Sequence, residues 1–411
     1  MLDAPDHGTA RRWLSIIGIG EDGVDGLSPV ARALIETAEL VVGGARHLAL
    51  AEAHIRGRAL AWPSPLTDGI AQILEARGRP VTVLASGDPF HYGVGKQLAS
   101  AVAADEFLCL PQPSAFSLAA SRMGWAVQDA ALVTLHGRAL EGIVRHLHRQ
   151  ARVLALSWDD TTPERLAAFL SERGMGQSRL TVLEALGGPR ERIRTAVAAR
   201  FDLAGIAPLN TIAVEVAADS GAPIIPYASG LDDALFESDG QLTKREIRAV
   251  TLSALAPRHG ELLWDIGLGS GSVAIEWLLC HPSLRAIGVE SHTERADRAL
   301  RNAATLGVPD LRVVRGEAPR AFADLPKPDA IFLGGAVSDD AVFMAAWEAL
   351  KPGGRLVANA VTLESESKLG RRFARLGGDL IRLDVARADS IGRLFAWRPA
   401  MPITQWRVRK P

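Results

Sequence analysis

The residues best suited to chemistry sit in two glycine-rich turns of different grammar. The stronger reads Trp264-Asp265-Ile266-Gly267-Leu268-Gly269-Ser270-Gly271-Ser272. Glycines in such a turn let backbone approach a ligand and take dihedral angles closed to other residues. Glu290 ends the next apolar run, 19 positions after Gly271, where an acid typically bonds ribose hydroxyls. A dinucleotide fingerprint would place its third glycine at Ser272. An acid just before the first glycine fits a positively charged ligand better than a pyrophosphate. No Gly-Lys-Ser/Thr follows, which excludes a P-loop. S-adenosylmethionine carries a ribose, an ammonium and a sulfonium but no phosphate. It suits Asp265, Gly267, Gly269, Ser270, Gly271 and Glu290 together. Another nucleotide, or a purely structural turn, stays open.

The other turn, Gly18-x-Gly20-x-x-Gly23, matches the dinucleotide fingerprint by letter. The helix should open directly, yet Val24-Asp25-Gly26-Leu27 intervenes before Ser28-Pro29, and the following strand ends in Gly43-Gly44 without an acid. The match is therefore weak, although it still says that backbone comes close to something. Ser86-Gly87-Asp88-Pro89 ends a further strand, with His91 and Tyr92 behind it. Those two are candidate proton-transfer groups, with packing as the plainer alternative. Gly316-Glu317-Ala318 could set a carboxylate near an adenine amine, and Gly334 closes a strand at the edge where such sheets bind ligands.

The elements that must position these residues alternate. Strands are expected at 13–17, 40–42, 80–85, 131–135, 153–156, 180–183 and 211–216. Between several of them lie helices, among them 28–38, with Ser28 as N-cap and Pro29 at its first position, and 163–173. Residues 219–230 hold two prolines and two glycines without periodicity and read as a linker. The pattern then restarts, with a helix at 243–255 and strands at 261–266, 285–290, 311–314, 330–333 and 355–358, a second doubly wound unit. The expected domains are 1–218 and 231–411, both α/β.

Composition narrows the function classes. A net charge of -1 gives no electrostatic case for nucleic acid or a membrane surface. Two cysteines, Cys109 and Cys280, rule out a disulfide framework and zinc-type spacing, so no metal is expected. The start, 1–12, is polar and lacks a secretory segment, and no apolar run approaches the ~20 residues of a membrane span. The cytoplasm is the expected compartment. Basic residues are mostly arginine, which suits carboxylate binding, although codon bias explains the preference as well.

Longer stretches carry a resemblance. IIGIGEDG (16–23), AELVVGGARHL (38–48), VLASGDPFHYGVG (83–95), PSAFSLAASRMGW (113–125) and LHGR (135–138) resemble the tetrapyrrole methylase family, in particular its CbiE-type branch. GQLTKREIR (240–248), LWDIGLGSGSVAIEW (263–277), RGEAP (315–319) and LKPGGRLVANAVTLE (350–364) resemble the CbiT type. The fused order resembles the CobL-type family of decarboxylating C5,15-methyltransferases acting on precorrin-6Y. The resemblance implies a two-lobed class III methylase domain followed by a Rossmann-like class I methyltransferase domain. It implies S-adenosylmethionine at two sites, with S-adenosylhomocysteine as product, and a reduced tetrapyrrole as substrate. The implied reaction in cobalamin biosynthesis methylates C5 through the first half, and C15 with loss of the C12 acetate carboxyl through the second, giving precorrin-8. Gly18, Gly20, Gly23, Gly87, Asp88 and Ser117 would line the first cofactor site, and Gln241 and Thr243 would join the second. Arg46, His47, Arg138, Lys244, Arg245 and Arg248 are expected to meet substrate; for Lys244 and Arg245 a solvated helix face is the alternative. Glu317 stands where the family usually has Asp, and Leu268 is larger than the usual small residue. A homo-oligomer is expected. A cobalt-bearing substrate stays open. A nucleic-acid methyltransferase lacks support, since no basic, aromatic-interleaved face or flipped-base motif is present. A sensing scaffold would tolerate loss of the cofactor loops, and both look intact.

Overall fold

The computed structural model describes residues 12–411; the reading of the polar start therefore lies almost wholly outside it. Two compact units emerge. One holds the chain up to Arg138 and Arg149–Ala222; the other holds Ala139–His148 and Pro223–Pro411. Ten residues inside the first expected domain thus count with the second unit. There Arg145 donates to the Leu279 carbonyl at 3.0 Å. The expected linker is tied down at both ends. Asp219 N donates to Gly174 O at 2.9 Å, and Gly230 N and Leu231 N donate to the buried Glu276 carboxylate at 2.7 and 2.9 Å.

The first unit has two sheets. Strands β1 (Leu14–Ile19), β2 (Leu40–Gly43), β3 (Arg58–Ala61), β4 (Val81–Ser86) and β5 (Phe107–Leu110) form a parallel sheet of order β3-β2-β4-β1-β5. Side chains on both of its faces are buried: Leu14, Ile16 and Val83 pack in one cluster, Ile17, Ile19 and Leu84 in another. Double-sided burial explains why β1 and β4 read as continuous apolar runs. Helices α1 (Pro29–Glu36), α2 (Ala45–Ala51), α3 (Leu66–Glu75), α4 (Gly95–Ala101) and α5 (Ala115–Met123) lie in this part of the chain. Ser28 Oγ accepts from Ala31 N at 3.2 Å, so α1 starts as the sequence indicates. The second sheet, of order β6-β7-β10-β8-β9, is mixed. Strands β6 (Ala130–Thr134) and β7 (Arg152–Leu156) run parallel, while β8 (Arg179–Glu184), β9 (Arg192–Val197) and β10 (Asn210–Glu215) pair antiparallel. Helix α6 (Thr162–Glu172) lies between β7 and β8 in the chain.

The second unit is built on a seven-stranded sheet of order β13-β12-β11-β14-β15-β19-β16. Parallel strands β11 (Leu262–Ile266), β12 (Arg285–Glu290), β13 (Arg312–Arg315), β14 (Ala330–Leu333) and β15 (Arg355–Ala360) are joined through α8 (Ser272–Cys280), α9 (Thr293–Thr305) and α10 (Asp340–Ala349), with α7 (Arg245–Leu255) ahead of them. After α11 (Leu363–Leu376), the antiparallel strands β16 (Asp379–Leu383) and β19 (Ile403–Arg409) complete it. Between those two, β17 (Ala386–Ile391) and β18 (Leu394–Pro399) make a separate two-stranded ribbon. No helix among the described residues is long and apolar enough to cross a membrane.

Candidate functional site

In the second unit the strand order reverses direction around β11 and β14, and the glycine loop leaves the carboxyl end of β11, the edge where open α/β sheets take ligands. Gly267, Gly269 and Gly271 have φ of +76°, +57° and +79°, a region costly for any residue with a Cβ. Their surroundings differ. A Cβ on Gly267 would lie 2.9 Å from Gly335 N, so that glycine lets the loops after β11 and β14 touch. A Cβ on Gly269 would meet nothing nearer than 4.0 Å, at Gln241 O and Gly267 O. Protein packing leaves open space in front of Gly269. Gly334, where a Cβ would lie 3.6 Å from Gly267 O, is exposed and donates to Ile266 O at 3.2 Å. Ser270 is buried, and its carbonyl accepts from Asn302 Nδ2 at 2.9 Å.

Two acids frame this loop. Asp265 is 1% exposed; its Oδ2 accepts from Ala274 N at 3.1 Å, and its Oδ1 is buried without a partner. Burial pushes its carboxyl up to about 8, against the pull of the Ala274 amide, and the nearby Glu290 charge adds to the rise. Burial thus favours the protonated form in the free protein. A cation beside it would restore the negative charge. Glu290 carries the loop itself: Oε2 accepts from Gly269 N at 2.8 Å and Oε1 from His292 N at 3.0 Å. Each oxygen keeps a second lone pair for a hydroxyl. Gly316 follows β13 with φ +155° and donates to the Glu290 carbonyl at 3.0 Å; Glu317 is exposed and Ala318 half-buried. The orphaned Asp265 oxygen, the open face of Gly269 and the Glu290 lone pairs together fit a ligand that has hydroxyls and a positive charge.

In the first unit, the carboxyl ends of β1, β4 and β5 crowd one another. A Cβ on Gly18 would fall 1.7 Å from Gly87 O, and one on Gly87 2.7 Å from Pro113 O. Gly87 O in turn accepts from Gln112 N at 3.0 Å. Protein packing alone therefore requires glycine at 18. Gly20 and Gly26 are filled by the Asp22 carboxylate, and Gly23 has φ +61°. Asp88 Oδ1 accepts from Phe90 N at 2.9 Å, closing a turn. Ser117 is exposed and tied to the helix cap, with its N donating to Ser114 Oγ at 3.2 Å. His91 packs tilted against Phe116 at 4.7 Å between ring centroids, and Tyr92, with φ +59°, donates its hydroxyl to Leu132 O at 3.3 Å. That gives both aromatic residues a packing role.

The structure corrects one expectation outright. Arg248 is fully buried and cannot meet substrate: Nε donates to Glu276, a guanidinium nitrogen donates to Leu231 O, and the group lies 4.6 Å over the Phe236 ring. Lys244 precedes the helix as its N-cap, half exposed, with Nζ 3.8 Å from Asp233; Arg245 is exposed in the first turn. Arg46 pairs with Glu21 and donates to Ser86 Oγ at 2.9 Å. His47 Nε2 lies 2.8 Å from the Arg46 guanidinium and so must accept; burial first, then that charge, lowers its pKa to about 4. Arg138 is exposed. Sequence reasoning missed Glu21, Glu276 and Asn302, polar residues on otherwise ordinary elements with no motif to mark them.

Two family models match the chain: tetrapyrrole (corrin/porphyrin) methylases over residues 14–202 and a precorrin methyltransferase domain over residues 234–410. The precorrin-6Y C(5,15)-methyltransferase [decarboxylating] of Sinorhizobium sp is 60% identical over 96% of this chain and 95% of its own. The protein of that name from Mycobacterium tuberculosis strain H37Rv is 40% identical over 96% of this chain and 99% of its own. A probable cobalt-precorrin-6B C(15)-methyltransferase (decarboxylating) from Pyrobaculum calidifontis is 39% identical over 43% of this chain and 95% of its own. With full-length identity of this order, and both halves matched by methylase models, the chain belongs to the family of decarboxylating precorrin-6Y C(5,15)-methyltransferases, an enzyme family of methyltransferases.

Proposed function

We propose that this chain methylates precorrin-6Y (precorrin-6B) at C5 and C15 from S-adenosylmethionine and decarboxylates the C12 acetate, giving precorrin-8 in cobalamin biosynthesis. The observation that carries the reading is the 60% identity along almost the whole chain, joined to an intact glycine loop with its two acids. The first domain (1–218) is assigned C5, and the second (231–411), beyond a linker at 219–230, C15 with decarboxylation. The half-length relative named for C15 methylation and decarboxylation supports that division. Its name also supports the second reading, a cobalt-bearing precorrin as substrate.

The cofactor supplies an electrophilic methyl group on a sulfonium. Asp265, Gly267, Gly269, Ser270, Gly271, Glu290, Gly316, Glu317, Ala318 and Gly334, with Gln241 and Thr243, would hold it in the second unit. Gly18, Gly20, Gly23, Gly87, Asp88 and Ser117 would do so in the first. The meso carbons of a reduced tetrapyrrole are enamine-like and already nucleophilic, so the protein's task is orientation and exclusion of water, which can lower a barrier by ~7–11 kcal/mol. The conjugated imine of the macrocycle takes up the electron pair released when CO2 leaves. Lys244 and Arg245 are exposed cations that would hold substrate carboxylates, while His91 and Tyr92, the proton-transfer candidates of the first unit, are assigned a packing role instead. We also place the enzyme in the cytoplasm, acting on neither nucleic acid nor membrane, as a homo-oligomer. Support for association comes from the β17–β18 ribbon, where Phe395 and Trp397 are 79% and 74% exposed.

Gly269→Arg, filling the open face of the loop, is expected to abolish C15 methylation and decarboxylation while C5 methylation persists, read by mass spectrometry of the pigment. Normal C15 methylation by that variant sinks the assignment. Calorimetric titration with S-adenosylhomocysteine should give two sites per chain, and a stoichiometry of one contradicts the two-site reading.

A further inference from the structure

We propose that Asp239 is a latch: held by Arg295 and Arg298, it positions residues 239–243 against the glycine loop and thereby sets how tightly the second unit binds its cofactor. The proposal rests on the cofactor reading above. It identifies positioning residues that none of the glycine-loop motifs contains.

The chain ahead of α7 is fastened to α9 by the exposed Arg301–Glu237 ion pair, with Arg301 Nη2 donating at 2.7 Å, and along one stripe of α9 at two further points of different character. The inner point is Asn302, 2% exposed. Its Oδ1 accepts from Glu237 N at 2.8 Å, and its Nδ2 donates to Glu237 O at 3.0 Å and to Ser270 O at 2.9 Å. Both amide protons are used, and a flipped amide would set donor against donor. One side chain therefore sews the leading segment to the glycine loop. The outer point is Asp239. Its Oδ2 accepts from Arg295 Nε at 2.8 Å and lies 3.2 Å from Arg298, while its Oδ1 accepts from Gln241 N at 3.2 Å. Arg295, Arg298 and Asn302 recur at helical spacing, so one face of α9 makes all these contacts.

Geometry says what the latch holds. Gly240, at φ +92°, turns the chain between Asp239 and Gln241. The Gln241 carbonyl then arrives 4.0 Å from the place a Gly269 Cβ would occupy, the open face of the loop. Downstream, the Thr243 carbonyl accepts from Arg248. The segment is thus pinned at both ends, with Gln241 between them beside the ligand space. Asn302 is buried, whereas the side chains of Asp239, Arg295 and Arg298 are 32%, 28% and 19% exposed. A buried pin makes a permanent hinge; a solvent-screened ion triplet opens at modest cost and closes again. A ligand would enter and leave through that opening.

The test uses the full-length chain, Asp239→Asn, and the pair Arg295→Met with Arg298→Met. Hydrogen exchange in the ligand-free protein should quicken in peptides covering 238–243 in both variants, while peptides from the β11–β12 core exchange as before. Titration with S-adenosylhomocysteine should show one of two sites weakened by about fivefold, the scale of a screened charge-assisted contact, with the other unchanged. Unchanged exchange overturns the latch whether or not any ligand binds. Faster exchange with wild-type affinity at both sites shows that the segment does not serve the cofactor, and equal weakening of both sites points to general destabilisation; either overturns the proposal. Wild-type protein that takes up no S-adenosylhomocysteine defeats the cofactor reading itself.

Discussion

Replacing a glycine by alanine in each of the two loops separates a position where packing alone demands glycine from one where only a ligand would meet the added carbon. At Gly269, φ +57° makes a Cβ cost about 1–2 kcal/mol. Part of that is offset by about 0.4–1 kcal/mol from the stiffer unfolded chain. No protein atom lies nearer than 4.0 Å to the added carbon, so no steric cost is added. Net destabilisation should be about 1 kcal/mol, or a fall in Tm of about 2–4 °C. At Gly18, the added carbon would sit 1.7 Å from Gly87 O and 2.7 Å from Gln112 N. Those two backbone groups are bonded to each other, so the ends of β4 and β5 must both shift. A cost of at least about 3 kcal/mol follows, at the upper end for overpacking. Thermal unfolding followed by circular dichroism, with S-adenosylhomocysteine titration on the same samples, reads both effects. Gly269→Ala should melt near wild type and bind more weakly at one site; Gly18→Ala should melt far lower. Equal melting losses, or full affinity in Gly269→Ala, would refute the reasoning.

Other outcomes follow from the buried charges. Asp265 has a native pKa near 8 because of burial, well above its unfolded value, so the native state holds the extra proton between about pH 4 and 8. Its contribution is full below pH 4 and is lost as pH rises through 8. In urea melts without ligand, Asp265→Asn should remove that decline, and an unchanged pH slope would count against it. His47, lowered to about 4 chiefly by burial, has the opposite sign: stability is lost as pH falls from 6.5 to 4, and His47→Gln should flatten that limb. Arg248→Met leaves Glu276 buried and uncompensated, for which about 3–5 kcal/mol is expected; a near-native urea midpoint would show that the pair matters little. Tyr92→Phe removes only a bond to a main-chain carbonyl, so C5 methylation should fall by less than about threefold, the scale of one neutral hydrogen bond. A loss of a hundredfold would return Tyr92 to the chemistry.

What could be read from the chain follows burial. Strands β1, β4, β11, β14 and β15 are buried on both faces, and their apolar runs announce them. Strands β3, β9 and β16 to β18 were silent, since RALA, RIRTAV and DLIRL carry charge on largely exposed positions, as sheet edges do. The helix expected at 243–255 starts at Arg245, because Thr243 and Lys244 are drawn into the turn that Arg248 holds. The glycine loop was legible because its dihedral requirement is written in residue type. Asn302 was not, because a single amide in an amphipathic helix looks like any solvated one until its three partners are in place. Arginine at 248 gave the wrong signal for a related reason: a guanidinium that seals a chain crossing looks, in sequence, like one that awaits a carboxylate.

The β17–β18 ribbon makes protein concentration an experimental variable. Ala386, Ala388, Ser390, Phe395, Trp397 and Pro399 alternate onto one face, while Arg387, Asp389, Ile391, Leu394, Ala396 and Arg398 take the other, where Ile391 and Leu394 are exposed as well. Neither outer edge of the ribbon pairs with another described strand. A water-facing aromatic side with bare edges is adhesive toward plastic, glass and other chains. Specific activity measured on nanomolar enzyme should therefore drift with vessel and time, and carrier protein or a mild detergent should steady it. Turnover numbers for this chain carry meaning only alongside the dilution at which they were taken.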